Sequence, residues 1–214
     1  MFGLPKFGDG IGLHRLERFY QNHRIDRAGL ARRSIAVTGT NGKGSTARFM
    51  TSAIEAAGLK VGCFTSPHLF DVRERFTIGD TPISQQDFDR HAAAVLSFNA
   101  SLPEGDRIGA FEFLFLLAIL WFQEQKPDAI VWEAGIGGRY DPVRTVRASV
   151  SVLTSIELEH TELLGATEEL IAYDKVDALA PGGCVVLSPS IPEALAHRIA
   201  AYAGLAGKAT LPAL

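Results

Sequence analysis

The chain has 214 residues, 47% of them apolar and 21% charged, with a formal net charge of −3. That length supports one good-sized core with at most a small appendage. The balance gives no electrostatic footprint for nucleic acid or for an anionic membrane surface. The two cysteines, Cys63 and Cys184, support neither a disulfide framework nor a zinc motif, and they suit a reducing compartment. The opening "MFGLPKFGDG" lacks the apolar stretch of a signal peptide, so the expected location is cytoplasmic.

In chain order, "GLHRLERFYQNH" places Leu13, Leu16, Phe19 and Tyr20 at helical spacing and predicts a short amphipathic helix. Arg24, Arg27, Arg32 and Arg33 read as a solvated basic face. Apolar strand candidates follow at Ser34–Val37, Lys60–Phe64, Ala129–Glu133, Val150–Thr154 and Cys184–Leu187. Helical patterns lie between and after them, at Ser45–Ala57, Gln85–Phe98, Phe111–Gln125, Thr167–Leu179 and Pro192–Ala203. The stretch from Ala110 to Phe122 is shorter than the ~20 residues a membrane span needs and carries Glu112, so it reads as a buried core helix. The tail "GLAGKATLPAL" shows no clear element. Alternating strands and helices, with most strands apolar on both faces, predict a doubly wound α/β fold with a mostly parallel sheet. The expected division is a helical extension over 1–32 and an α/β domain over 33–214.

The functional signal is "GTNGKGST", Gly39 to Thr46, which follows a strand and opens a helix. Gly39, Gly42 and Gly44 clear side chains from backbone N–H groups, and the helix aims its N-terminal dipole at the same point. Lys43 supplies a charge for terminal phosphates, and Ser45 and Thr46 supply hydroxyls for phosphate or magnesium. Thr40 and Asn41 complete the loop. The spacing departs from the commonest P-loop: Gly39 and Gly42 are closer together, and Gly44 separates Lys43 from Ser45. A nucleotide phosphate site is the expectation.

Five stretches in order make the chain resemble the Mur-ligase superfamily, most closely folylpolyglutamate synthase and dihydrofolate synthase. They are "GTNGKGST", "TSPHLFDVRERFTIGDTPIS", "FEF", "EAGIGGRYD" and "TSIELEHTELLGATEELIAYDK". The resemblance implies a Mur-ligase central-domain-like fold that uses ATP and Mg2+ to activate a folate-like carboxylate as an acyl phosphate, which an amine then attacks. It implies magnesium ligands at Ser66, Glu133 and His160. Lys43, His160 and Lys175 take catalytic roles, with Lys175 at the position of a carbamylated lysine. It places His68, Phe111, Glu112, Gly137, Gly138 and Arg139 at the substrate, and it marks Pro67 as a site of unusual backbone.

The chain departs from the family pattern at Glu159, Asp174, Asp177 and Arg144. It is also expected to lack the family's second domain and its Gly-x-His-Gln-x-x-Asn-Ala segment, so that ligation would need a separate partner domain or a homodimer. Two other readings stay open: a nucleotide-binding module without ligation, and a stand-alone kinase or ATPase acting on a small carboxylate.

Overall fold

The computed structural model describes residues 3–5 and 7–212. One eight-stranded sheet runs β4-β3-β2-β5-β1-β6-β7-β8. Its strands are β1 (Ser34–Thr38), β2 (Val61–Phe64), β3 (Phe76–Ile78), β4 (Thr81–Pro82), β5 (Ala129–Glu133), β6 (Val150–Leu153), β7 (Cys184–Leu187) and β8 (Ala209–Pro212). All neighbours pair in parallel except β2–β3 and β3–β4, which form an antiparallel edge. The helices are α1 (Leu13–Asn22), α2 (Arg27–Arg33), α3 (Lys43–Ala56), α4 (Gln85–Ser101), α5 (Ala110–Gln125), α6 (Thr161–Leu164), α7 (Glu168–Val176) and α8 (Glu193–Leu205). The expected doubly wound α/β architecture is present.

Alternation along the central strands divides the core. Ala36, Ile130 and Trp132 join Phe113–Ile119 of α5 in the largest cluster. Val37 and Val131 point the other way and pack with Ala47 of α3. A third cluster joins Leu153, Val185 and Leu187 to α7 and α8. The stretch from Ala110 to Phe122 is the buried helix its composition predicts: α5 is apolar all round, as a core helix is.

Two expectations need correction. The tail is not without structure, because Ala209–Pro212 adds β8 in parallel to β7. Its short, unpatterned sequence hides a strand that register with β7 creates. The N-terminal arginines are not uniformly a solvated face. Arg27 pairs with Glu17, donates to the Thr145 carbonyl at 2.8 Å and stacks 4.4 Å over the Tyr20 ring. Arg33 bonds the Pro127 carbonyl at 3.0 Å. The N-terminal helices α1 and α2 pack on the main core, with Leu16, Phe19, Tyr20, Ile25 and Leu30 buried in the same cluster as α5.

Candidate nucleotide and carboxylate site

The candidate site sits where β1, β5 and β6 end. β1 connects through α3 toward β2 on one side of the sheet, whereas β6 lies on its other side. Crevices at such reversals of strand order, outside the carboxyl ends of the strands, are the usual ligand sites of open α/β sheets.

The glycine loop is held in place by the turn after β6. Thr40 N–H donates to the Ser155 carbonyl at 2.9 Å, and Asn41 N–H to the Ser155 hydroxyl at 2.9 Å. The Thr154 hydroxyl donates to the Asn41 carbonyl at 2.7 Å, and the Asn41 amide reaches Glu157 at 2.9 Å. Gly39 has φ +137°, and a Cβ there would lie 2.0 Å from the Thr154 hydroxyl, so only glycine fits. Gly42, at φ 81°, precedes α3 and provides no side-chain cap. The first-turn N–H groups of α3 are thereby left for an external acceptor. Asn41, Gly42 and Thr46 line a cavity of ≈ 450 Å³ together with Thr154, Glu157 and Ser190. Ser45 is exposed at the same helix start.

Two lysines converge on the loop. Lys43 Nζ donates to the Gly39 and Thr40 carbonyls, each at 2.8 Å. Lys175, fully buried on α7, donates to Gly39 O at 3.0 Å and to Glu159 at 2.6 Å. Burial pulls the Lys175 amine below its usual range, and the Glu159 carboxylate opposes that shift. Glu159 itself is lowered: burial raises it, but the hydrogen bond and charge of Lys175 outweigh burial.

Glu133 closes β5 and is buried, and a Cβ on Gly44 would lie 3.5 Å from its Oε1. Its carboxylate therefore borders the first turn of α3. Ser66 N–H donates to Glu133 at 2.8 Å, so the segment after β2 closes over it. Burial raises the Glu133 carboxyl, with Ser66, Lys43, Arg75 and Arg48 pulling the other way. The Ser66–Pro67 peptide is cis, the unusual backbone expected at Pro67. His160 opens α6 in left-handed conformation, at φ 45°, with its side chain exposed. Among the described residues, no group of three or more His, Cys, Asp and Glu side chains is gathered at metal-binding spacing. Ser66 and Glu133 meet; His160 belongs to no such group.

The second glycine loop, Gly135 to Arg139, is differently built. Asp141 is buried and accepts from the N–H groups of Gly135, Ile136 and Val143 at 2.8–3.1 Å. Burial nevertheless pushes its carboxyl up to about 6. Asp174 accepts from Gly138 N–H at 2.8 Å and Arg139 N–H at 3.3 Å. Gly138 presses on α7, where a Cβ would lie 2.5 Å from the Lys175 carbonyl. Gly137 and Gly138 thus seat the helix that carries Lys175. Arg139, expected at phosphate or substrate, pairs with Asp177 at 2.9 Å and reaches Tyr202 at 3.2 Å.

Phe111, at the start of α5, lies 5.9 Å from the Phe64 ring and is half-buried. Glu112, read as the odd polar residue of an apolar run, is engaged in structure. It accepts from Gly109 N–H at 2.8 Å and holds buried Arg15 at 3.1 and 3.2 Å. Thr154, Ser155 and Glu157 join the site from the turn after β6, and their sequence signal is a hydroxyl pair at a strand end. Arg75 is a further neighbour of the site, donating through Nε to His68 Nδ1 at 2.9 Å.

The fold and the loop define a class, a P-loop α/β domain of the Mur-ligase type. No protein-family model matches the chain. Curated relatives do: over 196 residues, 90% of the chain, it is 34% identical to dihydrofolate synthase/folylpolyglutamate synthase of Bacillus subtilis, of which it spans 45%. It is 39% identical over 167 residues to human mitochondrial folylpolyglutamate synthase, sharing 75% of this chain and 28% of that one. A solved FPGS-AMPPCP-folate complex superposes with TM-score 0.85 at 30% identity, over 99% of this chain and 52% of that one. E. coli FolC in complex with DHPP and ADP gives 0.82 at 30% identity, over 94% and 46%. The chain is a relative of the folylpolyglutamate synthase/dihydrofolate synthase enzymes, and it spans less than half the length of these two curated relatives.

Proposed function

We propose that this chain binds ATP with Mg2+ at the mouth of Gly39–Thr46 and activates a folate-like carboxylate as an acyl phosphate. The amine that completes amide formation is presented by a further domain or a separate partner. The observation that carries this reading is the uncapped first turn of α3, flanked by Lys43, Lys175 and buried Glu133. The bound nucleotides and folate in the solved relatives support it.

The donor chemistry suits a hard cation. Glu133 and the Ser66 hydroxyl offer oxygen, and magnesium sites are commonly completed by one or two carboxylates plus phosphate oxygens and water. His160 would serve a second magnesium, as the resemblance implies. The metal, when bound, neutralises charge between phosphates and attacking carboxylate.

The chain's own residues do the rest. The N–H groups of α3 and the Lys43 ammonium stabilise charge on the transferring phosphoryl group, by exchanging loop carbonyls for phosphate oxygens. The carboxylate oxygen attacks the γ-phosphorus, the bond to the β–γ bridging oxygen breaks, and ADP leaves. Lys175, tied to Gly39, holds the floor of the mouth. Phe111 and His68 lie toward the carboxylate substrate, and location in the cytoplasm fits the class.

Hydroxylamine trapping tests this. With Mg-ATP and folate the chain should yield a folyl hydroxamate, and Glu133→Gln should lower the yield by about 100-fold, as loss of a charge-stabilising group does. ATP binding with no hydroxamate from any folate-like acid would leave a nucleotide-binding module instead.

A further inference from the structure

The segment after β2 carries Ser66 and His68, and an adjoining 3-10 turn, Val72–Arg75, organises it. Glu74 gathers the N–H groups of Leu69, Phe70 and Asp71 at 2.8, 3.1 and 2.8 Å. Thr65 N–H donates to the Arg75 carbonyl at 3.0 Å. These bonds fold the chain back so that Arg75 Nε meets His68 Nδ1 at 2.9 Å. Arg75 is half-buried, and its guanidinium also faces the charge of Glu133.

An arginine N–H can only donate. A ring nitrogen that accepts from it carries no proton, so the other nitrogen must carry the proton of the neutral ring. We propose that Arg75 is a positioning residue that fixes His68 as the Nε2–H tautomer, so that the ring offers an N–H donor to an oxygen of the anionic substrate. Glu74 is its partner, because it shapes the turn that brings Arg75 and His68 together. This rests on the carboxylate-activating reading for the identity of the acceptor, but the tautomer does not.

The arrangement makes chemical sense of both residues. A carboxylate substrate has acceptor oxygens only. An imidazole whose proton sat on Nδ1 would turn a lone pair toward it. Locking the tautomer through a permanently charged donor removes that competing state before the substrate arrives.

Nitrogen-15 spectra of the ligand-free chain test the lock directly. His68 Nδ1 should resonate as an unprotonated, hydrogen-bonded ring nitrogen and Nε2 as a protonated one. Arg75→Leu should bring in the Nδ1–H form, and Arg75→Lys, which keeps a donor, should restore the original pattern. A protonated Nδ1 in the wild-type chain overturns the proposal, as does an unchanged pattern in Arg75→Leu. If Arg75→Leu does not fold, the wild-type and Arg75→Lys spectra still decide.

Folate titrated into the chain loaded with Mg-AMPPCP supplies the second reading. Arg75→Leu and His68→Phe should each weaken folate about tenfold, the scale of one hydrogen bond to a charged group. The affinity of His68→Phe for Mg-AMPPCP should stay within about twofold. Folate affinity unchanged in both variants overturns the donor role. Absence of nucleotide binding in the wild type removes the carboxylate-activating reading while the tautomer result stands.

Discussion

Two glycine-rich loops follow central strands of this sheet, and they do opposite things with their backbones. The loop after β1, Gly39–Thr46, is fixed at its near end by Thr154 and Ser155 and leaves the start of α3 without a cap. The loop after β5 has the N–H groups of Gly135, Ile136, Gly138 and Arg139 occupied by Asp141 and Asp174. Both lie at the carboxyl edge of the sheet, and both read as phosphate or substrate loops in sequence. The difference lies in the carboxylates. Asp141 and Asp174 satisfy the second loop internally and turn it into scaffold, whereas the acid beside α3, Glu133, accepts from Ser66 N–H and leaves the first-turn donors of α3 to an anion. The second loop serves the first through α7, by seating Lys175 against Gly39.

That contrast can be broken in stability first. Gly138→Ala puts a methyl 2.5 Å from the Lys175 carbonyl and 2.7 Å from the Asp174 carbonyl, so backbone must move. A loss of about 3 kcal/mol is expected from overpacking. Gly42→Ala meets nothing nearer than 4.0 Å and suffers only from its φ of 81°. It should lose about 1 kcal/mol, the cost of a left-handed residue. Urea denaturation of both variants measures the gap; equal losses would mean the two loops are packed alike.

A smaller effect appears with pH. Asp141 is raised in the folded chain from 3.8 to about 6 by burial. A raised acid favours the fold when protonated, and that contribution is lost as pH rises from its unfolded value through about 6. Asp141→Asn does not titrate. The variant should therefore gain on the wild type by about 2–3 kcal/mol between pH 4 and pH 6.5, with little further change above. A flat difference across that window would show that the three N–H donors already hold Asp141 at an ordinary value.

Much of this was legible in the chain. Continuous apolar runs such as Cys184–Leu187 and Ala129–Glu133 marked parallel strands to the residue. The phosphate loop was legible because glycine spacing, lysine and a following helix are all local. What stayed hidden depends on partners distant in sequence. β3 and β4 are three and two residues long, too short for a period, and exist through pairing with β2 and each other. Asp26 caps α2 by accepting from Gly29 N–H, a signal that was present but stood before only seven helical residues. Glu112 looked functional because it interrupts an apolar run, yet its reason is Arg15, which is buried 97 positions away. Asp177, a departure from the family pattern, captures both Arg139 and Lys208. No spacing in the sequence announces that.

The most direct measurement is calorimetric titration of the chain with Mg-ATP, beside Lys43→Ala and Arg139→Ala. Saturable binding by the wild type is expected, lost by at least about 100-fold in Lys43→Ala and changed less than about threefold in Arg139→Ala. A wild-type chain that gives no binding heat at millimolar Mg-ATP, or an Arg139→Ala variant that fails as Lys43→Ala does, would contradict the assignment of the phosphates to the first loop alone.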